Sequence, residues 1–219
     1  MSTNAVDQQR TTRPSLLPVL LLLSAGFASP SHASVTSTWS DGVSRDQTFA
    51  RVLVVGISPD INQRCAFERS LASKLRSENT VAIVSCDVMS LKEPLTRESI
   101  EAAVVAKEAD AVLATSLISK SWEAQDGGTH DTRGGAYYKA TDAYYGVYGT
   151  VVAADFHTSA PITTIQGEAH VTSKLYETKG ATVVYTVDTK VRNIESRGEG
   201  LAAITSPLGK RLRKDGLVR

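Results

Sequence analysis

The chain has 219 residues, 42% of them hydrophobic and 21% charged, with a formal net charge of +1. That length and composition suit one domain with a real core. Without residues 1–33 the chain carries 22 basic and 22 acidic groups, and this neutrality excludes a global field that would draw it to nucleic acid or an anionic membrane.

Residues 1–33 read as an export signal. Arg10 and Arg13 precede an apolar run from Leu16 to Ala28, too short to span a bilayer. Pro18 argues further against a permanent membrane helix. Ser31-His32-Ala33 has the small-x-small pattern of a cleavage site, and Gly26-Phe27-Ala28 is a second one. No cysteine precedes Cys65, so a lipidated mature N-terminus is not expected. These features predict a periplasmic or secreted protein with no transmembrane segment after cleavage. Residues 34–49 are polar, with Trp39 the large apolar group, and read as a linker or a loosely attached edge segment.

Residues 50–219 are expected to form a single α/β domain. Val52-Leu53-Val54-Val55, Val81-Ala82-Ile83-Val84 and Ala111-Val112-Leu113-Ala114 are short runs apolar on both faces. Alternating with helices, they predict a βαβαβ unit with a parallel sheet and strand order 2-1-3. Asp60 is a good N-cap for the first helix, with Gln63 at the capping-box spacing. Phe67, Leu71, Ala72 and Leu75 form its apolar stripe. The second helix opens at Thr96, with Leu95 and Ile100 spaced as a hydrophobic staple. Asp87 reads as a strand-end turn residue.

From Ser121 to Gly149 the pattern changes. Asp126-Gly-Gly and Arg133-Gly-Gly interrupt it, and five of the seven tyrosines, Tyr137, Tyr138, Tyr144, Tyr145 and Tyr148, fall here. We expect an exposed Gly/Tyr-rich excursion over 121–149, with two strand extensions joined at a glycine-rich tip. The tyrosines are a candidate interaction surface, since each offers an apolar face and a polar tip; cross-strand packing is the competing explanation. Antiparallel strands are expected at Thr150–Phe156, Ile165–Tyr176 and Thr182–Val191. Glu177–Gly180 forms the hairpin turn, with Gly180 placed for a positive φ. The C-terminal segment is helical, with a fresh start at Ser206–Pro207 favoured over a kinked continuous helix. Gly216 reads as its cap, with Leu217-Val218 docking on the core. Lys210, Arg211, Arg213 and Lys214 suit the negative end of that helix.

Cys65 and Cys86 are the two thiols. The topology puts both at the C-terminal rim of the parallel strands, so a disulfide is expected, against the alternative of two unpaired buried thiols. The spacing is not that of a redox-active Cys-x-x-Cys. The same rim is where such sheets bind ligands; it offers Ser58, Asp60, Asp87 and Ser116. Asp126, His130 and Asp131, with His157 and His170 further on, lack a repeated metal-ligand spacing. No phosphate loop or nucleophile motif is present, so no catalytic residue, cofactor or metal is assigned.

Arg51-Val-Leu-Val-Val-Gly-Ile-Ser, Arg64, Phe67-Glu68, Asp110-Ala-Val-Leu, Leu175-Tyr176-Glu177 and Gly216-Leu217 carry a family likeness over roughly residues 50–218. The chain resembles a group of small exported bacterial proteins, many of them lipoproteins, with no assigned activity. Its layout is similar to domains of the curli-secretion channel lipoprotein, of the Tol-system propeller protein and of outer-membrane activators of peptidoglycan synthases. That resemblance implies a non-catalytic envelope module that docks another protein or a peptidoglycan-associated partner. The alternative from the residues alone is a periplasmic small-ligand binder or hydrolase using the Asp60/Asp87 edge.

Overall fold

The structure is a computed structural model. It describes residues 32–58, 60–91, 95–125, 131–140, 149–155 and 164–219, and over 117–166 the backbone alone. Tyr144, Tyr145, Tyr148, Asp126, His130, His157 and residues 1–31 lie outside the described residues.

The elements run β1 (His32–Trp39), β2 (Arg51–Ile57), α1 (Ile61–Leu75), β3 (Val81–Val84), α2 (Ser85–Val88), α3 (Arg97–Lys107), β4 (Ala111–Gln125), β5 (Asp131–Ala140), β6 (Gly149–Asp155), β7 (Thr164–Glu177), β8 (Thr182–Ile194) and α4 (Arg197–Lys214). They form one mixed α/β sheet in the order β1-β8-β7-β4-β2-β3, with β5 and β6 joined through β4. β3, β2 and β4 are parallel and stand in the expected 2-1-3 order. β7, β8 and β1 extend the sheet antiparallel.

Strand alternation divides the core. Val52 and Val54 of β2 join Leu71, Leu75, Leu208 and Leu212 under α1 and α4. Leu53 and Val55 join Ile100 and Ala103 under α3. The runs apolar on both faces are thus strands covered on both faces. Each fully buried Leu contributes about 1.5–3 kcal/mol.

Asp60 caps α1, its Oδ1 accepting from the N–H groups of Asn62 and Gln63. Thr96 caps α3 with Ser99 as its capping-box partner. Asp110 accepts from the N–H groups of Ala50 and Arg51, while Arg51 donates to the terminal carbonyls of α3 at Lys107 and Glu108. The start of β2 and the end of α3 are therefore locked together.

One open alternative is resolved and three sequence expectations are corrected. Residues 34–39 are not the linker but the edge segment of the two alternatives, forming most of edge strand β1 in register with β8 from His32↔Arg192 to Trp39↔Tyr185. The ring of Trp39 meets that of Tyr185 edge-on at 5.0 Å. The positive φ of the β7–β8 turn falls on Ala181, at 49°, and not on Gly180. Asp87 belongs to the four-residue helix α2, which was not expected, and not to a strand end. Pro207 starts no new helix: α4 is continuous through it. The reason is packing on both sides of the proline. Thr205 is fully buried with its hydroxyl 2.9 Å from that of Ser70, and Leu208 and Leu212 are buried beyond it.

Gly216 takes φ 78° just past the C-cap Asp215, and Leu217 and Val218 are buried in the core as expected. Arg213 donates to the carbonyls of Lys74 and Arg76 at the end of α1, so part of the basic cluster is a helix-end tie. No helix among the described residues is long and apolar enough to cross a membrane.

Candidate functional site

The C-terminal rim of the parallel strands is built from the end of β2, the first turns of α1 and the turn after β3. Cys65, in the second turn of α1, and Cys86, in α2, form a disulfide there with Cα atoms 5.6 Å apart. β3 stops at Val84, so the bond reaches the helical turn after the strand and not the strand end.

Beside the disulfide lies a buried charge network that sequence reasoning did not assign a role. Glu68 is fully buried and Arg64 only 5% exposed. Glu68 Oε1 accepts from the Gly56 N–H at 2.9 Å, Arg64 Nε at 2.9 Å and the Ser85 hydroxyl at 2.6 Å. Its Oε2 accepts from the Cys86 N–H at 2.7 Å. A guanidinium NH2 group of Arg64 also donates to Ser85 Oγ at 2.7 Å. Each buried donor and acceptor has a partner, which a buried ion pair requires. A signal was present: Arg64 and Glu68 are one helical turn apart and continue the stripe of Leu71 and Leu75. Charges within an apolar stripe are a mark of buried pairing.

The rim residues named from sequence are otherwise spent on structure. Asp60 caps α1, and its carboxyl lies below the ordinary range, held there first by the Gln63 N–H and against the opposing effect of burial. Asp87 pairs with Arg69 at 2.7 Å on the open surface. Ser58 Oγ accepts from the Asp60 N–H, and Ser116 Oγ donates to the Thr172 carbonyl at 3.5 Å. His170 Nε2 stands 3.6 Å from Asp188 across β7 and β8, away from Asp131 at the start of β5. Among the described residues no group of three or more His, Cys, Asp or Glu could hold a metal ion.

The rim does open into a cavity of about 460 Å³ between α1 and α4, floored by β4 and β7. Its walls are mainly apolar, with Ile57, Phe67, Val171, Leu201 and Ile204 among them. Small residues Gly167 and Ala169 leave the floor low. Arg64 reaches it from the buried network, and Glu195 and Arg197 stand at the α4 end.

Two helix contacts hold α1 and α4 together below the cavity. One is the Ser70–Thr205 hydroxyl pair. The other is Gly209, where a Cβ would lie 2.9 Å from Lys74 Cβ. At the far end Gly200 lets α4 sit against Ile194, where a Cβ would come within 2.9 Å of Cγ2. The cavity therefore lies between the N-terminal halves of two helices whose later turns are pinned.

Beyond the core, β4 runs on. β2 ends opposite Ser116. Past an irregularity between Leu117 and Ser119, β4 pairs β7 on one side and β5 on the other out to Gln125. β5 then pairs β6. This antiparallel arm of β4, β5 and β6, with β7 beside β4, extends about 30 Å past the parallel strands. The two expected strand extensions are thus the end of β4 and β5. Tyr137 and Tyr138 are in β5, in register with Val152 and Val151 of β6.

No family model matches the chain, and no curated protein matches it. Among solved structures, the chain is similar to a PelC dodecamer from Paraburkholderia phytofirmans, at 12% identity over 86% of this chain and 99% of that one, with a TM-score of 0.43. A variant PelC dodecamer from the same organism gives 14% identity over 85% of this chain and 99% of that one, with a TM-score of 0.43. The lipoprotein GNA1162 from Neisseria meningitidis is similar at 14% identity over 75% of this chain and 99% of that one, with a TM-score of 0.39.

Proposed function

We propose that this protein is a non-catalytic docking or assembly module of the bacterial cell envelope, exported by its N-terminal signal, and that the antiparallel arm is its docking element. The observation that carries this reading is the arm itself. Its outer strand β6 pairs β5 alone among the described residues, so one edge of backbone N–H and C=O groups is open to a partner strand. Tyr137 and Tyr138 of the tyrosine-rich stretch lie on this arm, in β5. The partner is an envelope protein or a peptidoglycan-associated one.

A test is the native size of the protein in detergent-extracted envelopes. The wild-type chain is expected in a particle larger than the purified chain alone. Tyr137→Ser/Tyr138→Ser is expected to shift it toward the size of the purified chain. Wild-type protein that elutes from envelopes at the size of the purified chain would overturn the docking reading.

The cavity favours a second reading, a periplasmic small-ligand binder. Its support is the concave apolar space at the rim, and not Asp60 or Asp87, which are engaged elsewhere.

A further inference from the structure

We propose that the cavity between α1 and α4 binds a single acyl chain bearing a zwitterionic phosphate-plus-ammonium head, the chemistry of a lysophosphatidylethanolamine. This rests on the small-ligand-binder reading and is independent of the docking arm.

The cavity, at about 460 Å³, falls in the range of about 300–1,000 Å³ common for small-ligand sites. Phe67, Leu201 and Ile204 line it while only half-buried. An apolar chain laid between them removes that surface from water, a gain of about 0.8 kcal/mol per buried methylene. The helices cannot close the space by sliding together. Ser70–Thr205 and Lys74–Gly209 fix their separation at one end, and the contact of Gly200 with Ile194 fixes α4 at the other.

The charges at the cavity select the head. The Arg64 guanidinium is matched by Glu68. Glu168 is matched by Arg192 at 3.3 Å. That leaves Glu195 and Arg197, on either side of the cap residue Ser196, both lining the cavity. Neither side chain makes a hydrogen bond or ion pair within the described residues. One cation and one anion at a single mouth complement a head that carries both signs.

The test uses the purified full chain and Nile red, a neutral apolar dye that brightens in such a cavity. Lysophosphatidylethanolamine is titrated in below its micellar concentration. Saturable dye binding and its displacement by the lipid are expected. Ala66→Trp fills the cavity from the exposed face of α1, and is expected to weaken both by about tenfold. Arg197→Ala and Glu195→Gln, both on exposed residues, are expected to weaken the lipid by about threefold and leave the dye unchanged. Unchanged circular dichroism and melting show that each variant folds. Dye that binds, is lost in Ala66→Trp and resists the lipid would overturn the lipid while sparing a binder of another class. No saturable dye or lipid binding by the wild type would overturn both. Displacement by an apolar peptide at lower concentration than the lipid would assign the cavity to a protein partner and overturn the proposal.

Discussion

Glu68 accepts the backbone N–H of Cys86 at 2.7 Å, so a buried carboxylate and a disulfide hold the same turn of chain. The carboxylate also takes Arg64, Ser85 and the Gly56 N–H. Removing one member of such a network strands a charge without water. Glu68→Ala and Arg64→Ala are each expected to lower stability by about 3–5 kcal/mol. The double variant should cost clearly less than the sum, because the second change removes the stranded charge. Urea unfolding of the four proteins in the cycle checks both statements.

The disulfide is the covalent half of that clamp. It joins residues 21 apart in sequence, and closing a loop of that size contributes about 3 kcal/mol in the chain-entropy model. Cys65→Ala/Cys86→Ala is expected to lose about that amount. Alkylation followed by mass spectrometry should find no free thiol in the native chain and two after reduction.

The architecture was legible where the pattern is one-dimensional. The three strands apolar on both faces, the Asp60 and Thr96 caps and the pairing of Cys65 with Cys86 follow from period, spacing and topology. What escaped depends on distant segments meeting. A Pro in α4 reads as a break until Thr205, Leu208 and Leu212 are seen packed on α1 and the core. Residues 34–39 stayed open between linker and edge segment because their partner, β8, is about 150 residues away. The cavity had no local signature at all. It exists because Gly209 and Gly200 set how α4 lies, and a helical glycine looks the same in sequence whatever it faces. The rim acids failed as site residues for the opposite reason: Asp60 and Asp87 were visible, but capping and pairing consume them.

Gly209 gives a sharper test of helix packing. On an open helix face, Gly→Ala stabilises by up to about 1 kcal/mol. Here the new Cβ would come within 2.9 Å of Lys74 Cβ, an atom close to the backbone that cannot swing away. The overpacking cost of about 1–3 kcal/mol wins. Gly209→Ala is expected to destabilise and Gly209→Val more so, whereas Gly198→Ala, with open space around it, should be neutral or stabilising. Thermal melts rank the three.

Acid sensitivity follows from two helix starts. The Asp60 carboxyl lies below its ordinary 3.8, chiefly through the Gln63 N–H. That of Glu98 lies below 4.5, chiefly through its own backbone N–H and then the Thr96 side chain. A carboxylate depressed in the folded chain stabilises above its unfolded pKa, and that contribution is lost as pH falls through the folded value. Asp215 works in the other sense. Burial raises its carboxyl, so its contribution is present at low pH and fades as pH rises. Asp60→Asn keeps a capping acceptor but not the charge. Its stability deficit relative to wild type is therefore expected to shrink as pH is lowered from about 5 to about 3, as read from urea midpoints across that range.

The central claim is that this chain works by docking through the arm. Photoreactive residues placed at Tyr137 and Tyr138, and as a control at Val105, which is 77% exposed on α3, test it in living cells. The account predicts one discrete adduct of the same mass from both arm positions and none from Val105. Solvent-quenched protein alone at the arm positions, or an adduct no different from that at Val105, would contradict it.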